Sequence, residues 1–82
     1  MEKSDLKVGR VYRAKHPKMM GIVDRLVNDR SIVWMGETQL QYDSPSVAIG
    51  RKLPRVSIEA FLKWAGKDVT ELLPEGKWAE SI

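Results

Sequence analysis

The first 56 residues alternate between short apolar runs and turn-forming residues, a pattern typical of a series of short β-strands. The apolar runs cover residues 11–14, 21–27, 31–35 and 39–42. Residues 28–30, Asn-Asp-Arg, favour a tight turn, so the second and third runs are predicted to form a hairpin. Residues 47–56 are interrupted by Gly50 and Pro54, and they predict one or two short edge strands.

The hydrophobic period changes to that of a helix after residue 56. Ser57 is placed to cap this helix with its hydroxyl, and Gly66 is predicted to lie just past its end. The apolar stripe between them has helical spacing: Ile58, Phe61, Leu62 and Ala65. A helix of about eight or nine residues is too short to be stable alone, so we expect it to dock on the strands.

Several short strands followed by one helix predict a mainly β (β+α) protein. The candidate architectures are a small antiparallel Src-homology-3-like barrel and a curled sheet of four or five short strands, each with a docked C-terminal helix. The chain of 82 residues is long enough for one domain, predicted over residues 1–74. Residues 75–82 are predicted to form a flexible tail, although Trp78 is able to fold back.

Composition argues against most catalytic chemistry. The chain has no cysteine and a single histidine, which excludes disulfides, cysteine-based zinc sites and sites built on several imidazoles. His16 is expected to be a solvated loop residue, with a phosphate contact or a proton donor as the alternative. The sequence contains no nucleophile elbow and no phosphate-binding glycine loop. We therefore expect no enzyme, no cofactor and no metal.

Positive charge is concentrated in the β-rich part of the chain. Residues 1–55 carry eleven Lys and Arg against six Asp and Glu, whereas the whole chain has a net charge of +3. The basic residues beside the first strand and those before the helix form two groups: Arg10, Arg13 and Lys15; Arg51, Lys52 and Arg55. If the two groups meet on one surface, they predict a face for nucleic acid. The alternative is that they only protect strand edges from aggregation.

Apolar residues outside the expected core suggest a protein partner instead. Residues 32–35 are all apolar, so either Ile32 and Trp34 or Val33 and Met35 must face outward; Trp34 is expected in the core. The outward pair would favour a homodimer. Phe61 is expected in the core. Trp64, on the flank of the helix, either covers an open end of the barrel or binds a partner, and Met35 is the second candidate for such contacts.

The order of several segments resembles that of small hypothetical proteins encoded by bacterial phages and prophages. The segments are Val-Gly-Arg-Val-Tyr-Arg at 8–13, Ile-Val-Trp at 32–34, Gln-Tyr-Asp-Ser at 41–44 and Val-Ser-Ile-Glu-Ala-Phe-Leu-Lys-Trp-Ala at 56–65. The resemblance covers about residues 6–70. It implies a bacterial cytoplasm and an accessory role in infection or lysogeny, and it transfers no functional residues.

Two functional hypotheses follow from these observations. The first is a small non-enzymatic binding module of phage or prophage origin, with a basic face that binds nucleic acid. The second is a protein-interaction module that inhibits or recruits a host or phage protein. No apolar run reaches the roughly 18–20 residues of a membrane helix, so no membrane partner is expected.

Overall fold

The computed structural model describes residues 1–20, 26–48, 50–73 and 78–79. Its strands are β1 (Val11–Ala14), β2 (Met19–Met20), β3 (Leu26–Val27), β4 (Arg30–Met35), β5 (Gln39–Asp43), β6 (Arg55–Ser57) and β7 (Ala65–Asp68). The only α-helix in the described ranges is α1 (Ile58–Trp64), and short 3-10 helices cover Lys3–Asp5 and Thr70–Leu72. The prediction of a mainly β protein with one short C-terminal helix is confirmed.

Five strands form an antiparallel sheet in the order β6-β5-β4-β1-β7. The first strand therefore lies inside the sheet, between β4 and the strand that follows the helix. Within the described residues the edge strands β6 and β7 do not pair with each other, so the sheet does not close into a barrel. Of the two predicted architectures, the curled sheet is correct and the Src-homology-3-like barrel is not formed.

The predicted hairpin between residues 21–27 and 31–35 is wrong. β3 pairs with β2, where Val27 lies opposite Met19, whereas β4 pairs with β1 and β5. The segment between β3 and β4 forms no simple turn, because the Asn28 N–H donates to the carbonyl of Lys18 at 2.8 Å and Asp29 enters the interior. Residues 21–25, within the predicted run, lie outside the described residues.

Ser57 caps α1 as predicted, since its hydroxyl accepts the Ala60 N–H at 3.0 Å. The helix ends where it was predicted to end: the C-cap is Ala65, with φ −72° and ψ 131°, and Gly66 lies just past it. Gly66 does not adopt a positive φ, because it already belongs to β7. A Cβ on Gly66 would lie 3.0 Å from the Cα of Lys15, so the missing side chain eases the close approach of β7 to the chain after β1.

The core lies between the sheet and α1. Its buried side chains are Leu6, Tyr12, Ile32, Leu40, Tyr42, Ile58, Phe61 and Ala65. Phe61 is fully buried at the centre, with its ring centroid 5.7 Å from that of Tyr12 and 5.1 Å from that of Trp64. The prediction that Phe61 belongs to the core is confirmed, and the helix docks through it.

The expected core position of Trp34 is wrong, because a β-bulge breaks the alternation of β4. Ile32 lies opposite Tyr42, but the register then shifts, so that Trp34 lies opposite Gln41. Val33 and Trp34 are 41% and 43% exposed, while Ile32 is buried and Met35 packs against the core. The extra residue at the bulge thus leaves two successive side chains outside.

Part of the predicted tail lies against the rest of the protein. The N–H of Val27 donates to the carbonyl of Ala79 at 2.8 Å, and Trp78 is half-buried. Residues 75–77 and 80–82, where flexibility was also predicted, lie outside the described residues.

Candidate functional site

Arg10 is engaged with two carboxylates at the end of β7. Its Nε lies 2.8 Å from Oδ2 of Asp68, and its Nη2 lies 2.7 Å from Oε1 of Glu71. The hydrogen bonds that Arg10 donates to Asp68 and to Glu71 raise the pKa of Arg10 above its ordinary value, Asp68 having the larger effect. The charge that was predicted to meet a nucleic acid is therefore paired within the protein.

The carboxylate of Asp68 makes the stability of the protein depend on pH in the acidic range. Burial alone would raise its pKa, but hydrogen bonds from Thr70 and Arg10 outweigh burial and hold the pKa below its ordinary value. A carboxylate with a lowered folded-state pKa contributes stability above its unfolded pKa of about 3.9, and this stability is lost as the pH falls further.

Asp68→Asn is therefore expected to lower the free energy of unfolding at pH 7, by an amount that shrinks as the pH falls below about 4. Urea unfolding of both proteins between pH 7 and pH 3 measures the difference. Glu59→Gln, at an exposed position of α1, is the matched control. A difference between Asp68→Asn and the wild type that stayed constant over this range would contradict the prediction.

Arg13 is also paired, and its partner is fully buried. Its Nε and Nη2 donate to the two carboxylate oxygens of Asp29 at 2.9 and 3.1 Å. The hydrogen bond with Asp29 raises the pKa of Arg13. The two hydrogen bonds fix the backbone at Asp29, just before β4. Arg13 therefore has a structural role, because it positions the residues next to Asp29.

The structure does not bring the two predicted basic groups together. β4 and β5 lie between β1, which carries Arg13, and β6, which carries Arg55. Arg51 and Lys52 are exposed in the connection before β6. Arg55 stacks on the outer face of the sheet, with its Cζ 4.7 Å from the centroid of the Trp34 ring.

A different set of basic residues surrounds a half-open cleft of about 460 Å³ beyond the end of β1. The cleft is lined by Ala14, Lys15, His16, Lys18, Asn28, Arg30, Lys63 and Trp64. Lys15 is the only member of the predicted groups among them. No carboxylate belongs to the lining in the described part of the chain. Lys63 has an exposed neighbour in Glu59, 3.6 Å away.

Arg30 is the functional candidate that sequence reasoning missed. Its Cζ lies 4.4 Å from the centroid of the Tyr42 ring and 4.1 Å from that of Trp64, so two aromatic rings hold the guanidinium. Among the described residues it makes no ion pair and its guanidinium donates no hydrogen bond. Burial lowers its pKa. The result is a half-buried cation without a counter-charge from the described residues, at the wall of a cleft.

Local structure on both sides holds this arrangement in place. Asp29, anchored by Arg13, sits between Asn28 and Arg30, which both line the cleft. On the opposite wall, the Lys15 N–H donates to the carbonyl of Trp64 at 3.0 Å and joins the end of β1 to the end of α1. Hydrogen bonds and an ion pair thus tie both walls of the cleft to β1, β4 and α1.

The two residues predicted to contact a protein partner are packed against the core. Met35 is half-buried, and Trp64 is held between Phe61 and Arg30. Trp64 thus serves as a wall of the cleft. The apolar side chains that the sheet exposes are Val33 and Trp34.

Comparisons with family models, with curated proteins and with solved structures found no match to this chain. Within the described residues, no helix is long and apolar enough to cross a membrane. The same residues contain no group of three or more side chains arranged to hold a metal ion.

Proposed function

We propose that the protein is a small non-enzymatic module that binds the phosphate groups of nucleic acid in the cleft around Arg30. The observation that carries the proposal is the guanidinium of Arg30, held by Tyr42 and Trp64 without a counter-ion from the described residues. A desolvated cation at a cleft wall is stabilised when an anion binds beside it.

The chemistry of the lining favours a phosphate over other anions. A guanidinium offers several N–H donors in one plane, a geometry that matches the oxygens of a phosphate. Lys15, Lys18 and Lys63 add three charges around the same cleft. Several cations spaced along a concave surface suit a polyanion that carries a phosphate at every repeat.

Removing the charge of Arg30 is expected to weaken binding more than removing a charge elsewhere. For Arg30→Gln we expect a loss of affinity of about tenfold for an oligonucleotide at about 50 mM salt. The slope of log K against log salt should fall in magnitude by about 0.7 to 0.9. Fluorescence anisotropy with a labelled oligonucleotide at several salt concentrations measures both quantities.

Lys52→Gln is the matched control, because it also removes one positive charge, from an exposed side chain outside the cleft. Its affinity should change by less than about twofold, since exposed charges at a distance are screened. Equal losses in the two variants would assign binding to overall charge and contradict the proposal. Circular dichroism of each variant checks that the fold is retained.

The resemblance to phage and prophage proteins places this proposal in a biological setting. An accessory protein of that kind would meet DNA or RNA in the bacterial cytoplasm, where no disulfide is needed for stability. Both the origin and the compartment belong to the proposal.

Protein binding through the outer face of the sheet is the second candidate function. Trp34 is 43% exposed beside Val33, and large exposed aromatic side chains are frequent anchors of protein interfaces. Arg55 lies on the same ring and adds a cation to this face. The expected homodimer, which would cover such an apolar pair, stays a prediction.

A further inference from the structure

The aromatic rings nearest the cleft are already occupied. The Tyr42 ring is buried in the core and stacks on the guanidinium of Arg30. Trp64 packs against Phe61 as well as Arg30. Proteins that bind single strands commonly use such rings as stacking platforms for bases. In this cleft these two rings instead position a guanidinium. The polar groups left to contact a ligand are therefore mostly N–H donors and ammonium groups, beside the His16 ring and the Asn28 amide.

The exposed Trp34 does not supply a stacking platform for bases in this cleft either. Trp34 lies opposite Gln41 on the outer face of the sheet, whereas Arg30 stacks on Tyr42, a core-facing residue. Trp34 does not belong to the lining of the cleft. Apart from His16 and Asn28, every polar side chain in the lining of the cleft is a cation, so base identity has little to act on.

Because Arg30 lies in a recess, the site favours binding of a flexible single strand over binding of a duplex. Arg30 is half-buried at the wall of a cleft whose volume lies in the range of small-ligand pockets, about 300 to 1,000 Å³. A duplex holds its phosphates on a stiff, convex backbone. A single strand rotates freely about its backbone and can direct one phosphate into the recess.

We propose that the cleft binds single-stranded nucleic acid through one phosphate at Arg30, independently of the bases, and discriminates against duplex. Lys15, Lys18 and Lys63 contact the neighbouring phosphates. This inference rests on the proposed function and narrows its ligand from nucleic acid in general to the backbone of a flexible strand.

Three fluorescein-labelled 20-mers test the inference by anisotropy at about 50 mM salt: oligothymidylate, an abasic strand of the same length and a duplex. We expect oligothymidylate to bind at least about tenfold more tightly than the duplex. The abasic strand should bind within about threefold of oligothymidylate, whereas a stacking mechanism would cost about 5- to 150-fold per stacked base.

Arg30→Lys separates geometry from charge, because it keeps the cation and removes the planar donors. It should weaken single-strand binding by at least about fivefold and leave duplex binding within about twofold of the wild type. Lys52→Arg, at an exposed position outside the cleft, is the control for lysine–arginine exchange.

The single-strand inference and the proposed nucleic-acid binding would be overturned by different results. Equal affinity for the duplex, or a loss of more than about fivefold with the abasic strand, would overturn the inference and leave nucleic-acid binding in place. Absence of binding to all three probes at about 50 mM salt would overturn the proposed function itself.

Discussion

Replacing Arg13 with methionine is expected to lower the free energy of unfolding by about 3 kcal/mol, because it leaves a buried carboxylate without its partner. Asp29 is fully buried, and both of its oxygens accept hydrogen bonds from Arg13. Because Asp29 is fully buried, water does not replace the lost hydrogen bonds. For a domain of this size the midpoint of thermal unfolding should fall by about 12–24 °C.

Two further variants identify the cause of this loss. Lys67→Met removes a cation from the position opposite Arg13 on β7, where the side chain is exposed, and should cost no more than about 0.5 kcal/mol. Arg13→Met combined with Asp29→Leu removes both charges and should be more stable than Arg13→Met alone. If Arg13→Met proved no more harmful than Lys67→Met in urea unfolding, the buried pair would not be the reason.

Phe61→Ala is expected to be the most destabilising truncation of the helix, at about 3–5 kcal/mol. The ring is fully buried and contacts the rings of Tyr12, Tyr42 and Trp64. Its removal opens a cavity between the sheet and α1 and also removes the edge-to-face contact with the Tyr12 ring. A domain of 82 residues has a total stability of about 4–12 kcal/mol, so this variant should lose between about a quarter and all of it.

A graded series tests the cavity explanation. Phe61→Leu fills part of the space and should cost about 1–2 kcal/mol, less than Phe61→Ala. Leu72→Ala removes an apolar side chain that is 68% exposed and should change stability by less than about 0.5 kcal/mol. Similar losses for Phe61→Ala and Leu72→Ala in thermal unfolding would show that the core does not depend on this ring.

Local signals in the sequence were sufficient for much of the fold. The strand at 39–42, the capping hydroxyl of Ser57 and the core position of Phe61 depend on neighbours within a few residues, and the structure has all three. Trp34 was misplaced because alternation assumes a regular strand. The bulge that moves it outward depends on pairing with β5, which the pattern of β4 alone does not contain.

The candidate site was harder to predict because charge in a sequence does not show how it is paired. Arg10 and Arg13 resembled free cations, yet their partners lie 58 and 16 positions away along the chain. Arg30 resembled an ordinary turn residue for the same reason, since the two rings that hold it come from β5 and from the end of α1. Of the basic residues that the sequence analysis grouped, only Lys15 lines the cleft.

The placement of β1 inside the sheet has a consequence during synthesis on the ribosome. One neighbour of β1 is β4, but the other is β7. The ion pair between Arg10, just before β1, and Asp68, at the end of β7, joins residues 58 positions apart. A nascent chain exposes one hydrogen-bonding edge of β1 until residues 65–68 have emerged. The sheet is therefore completed only after translation of β7, and the ordered wall of the cleft at Lys15 and Trp64 forms at the same late stage.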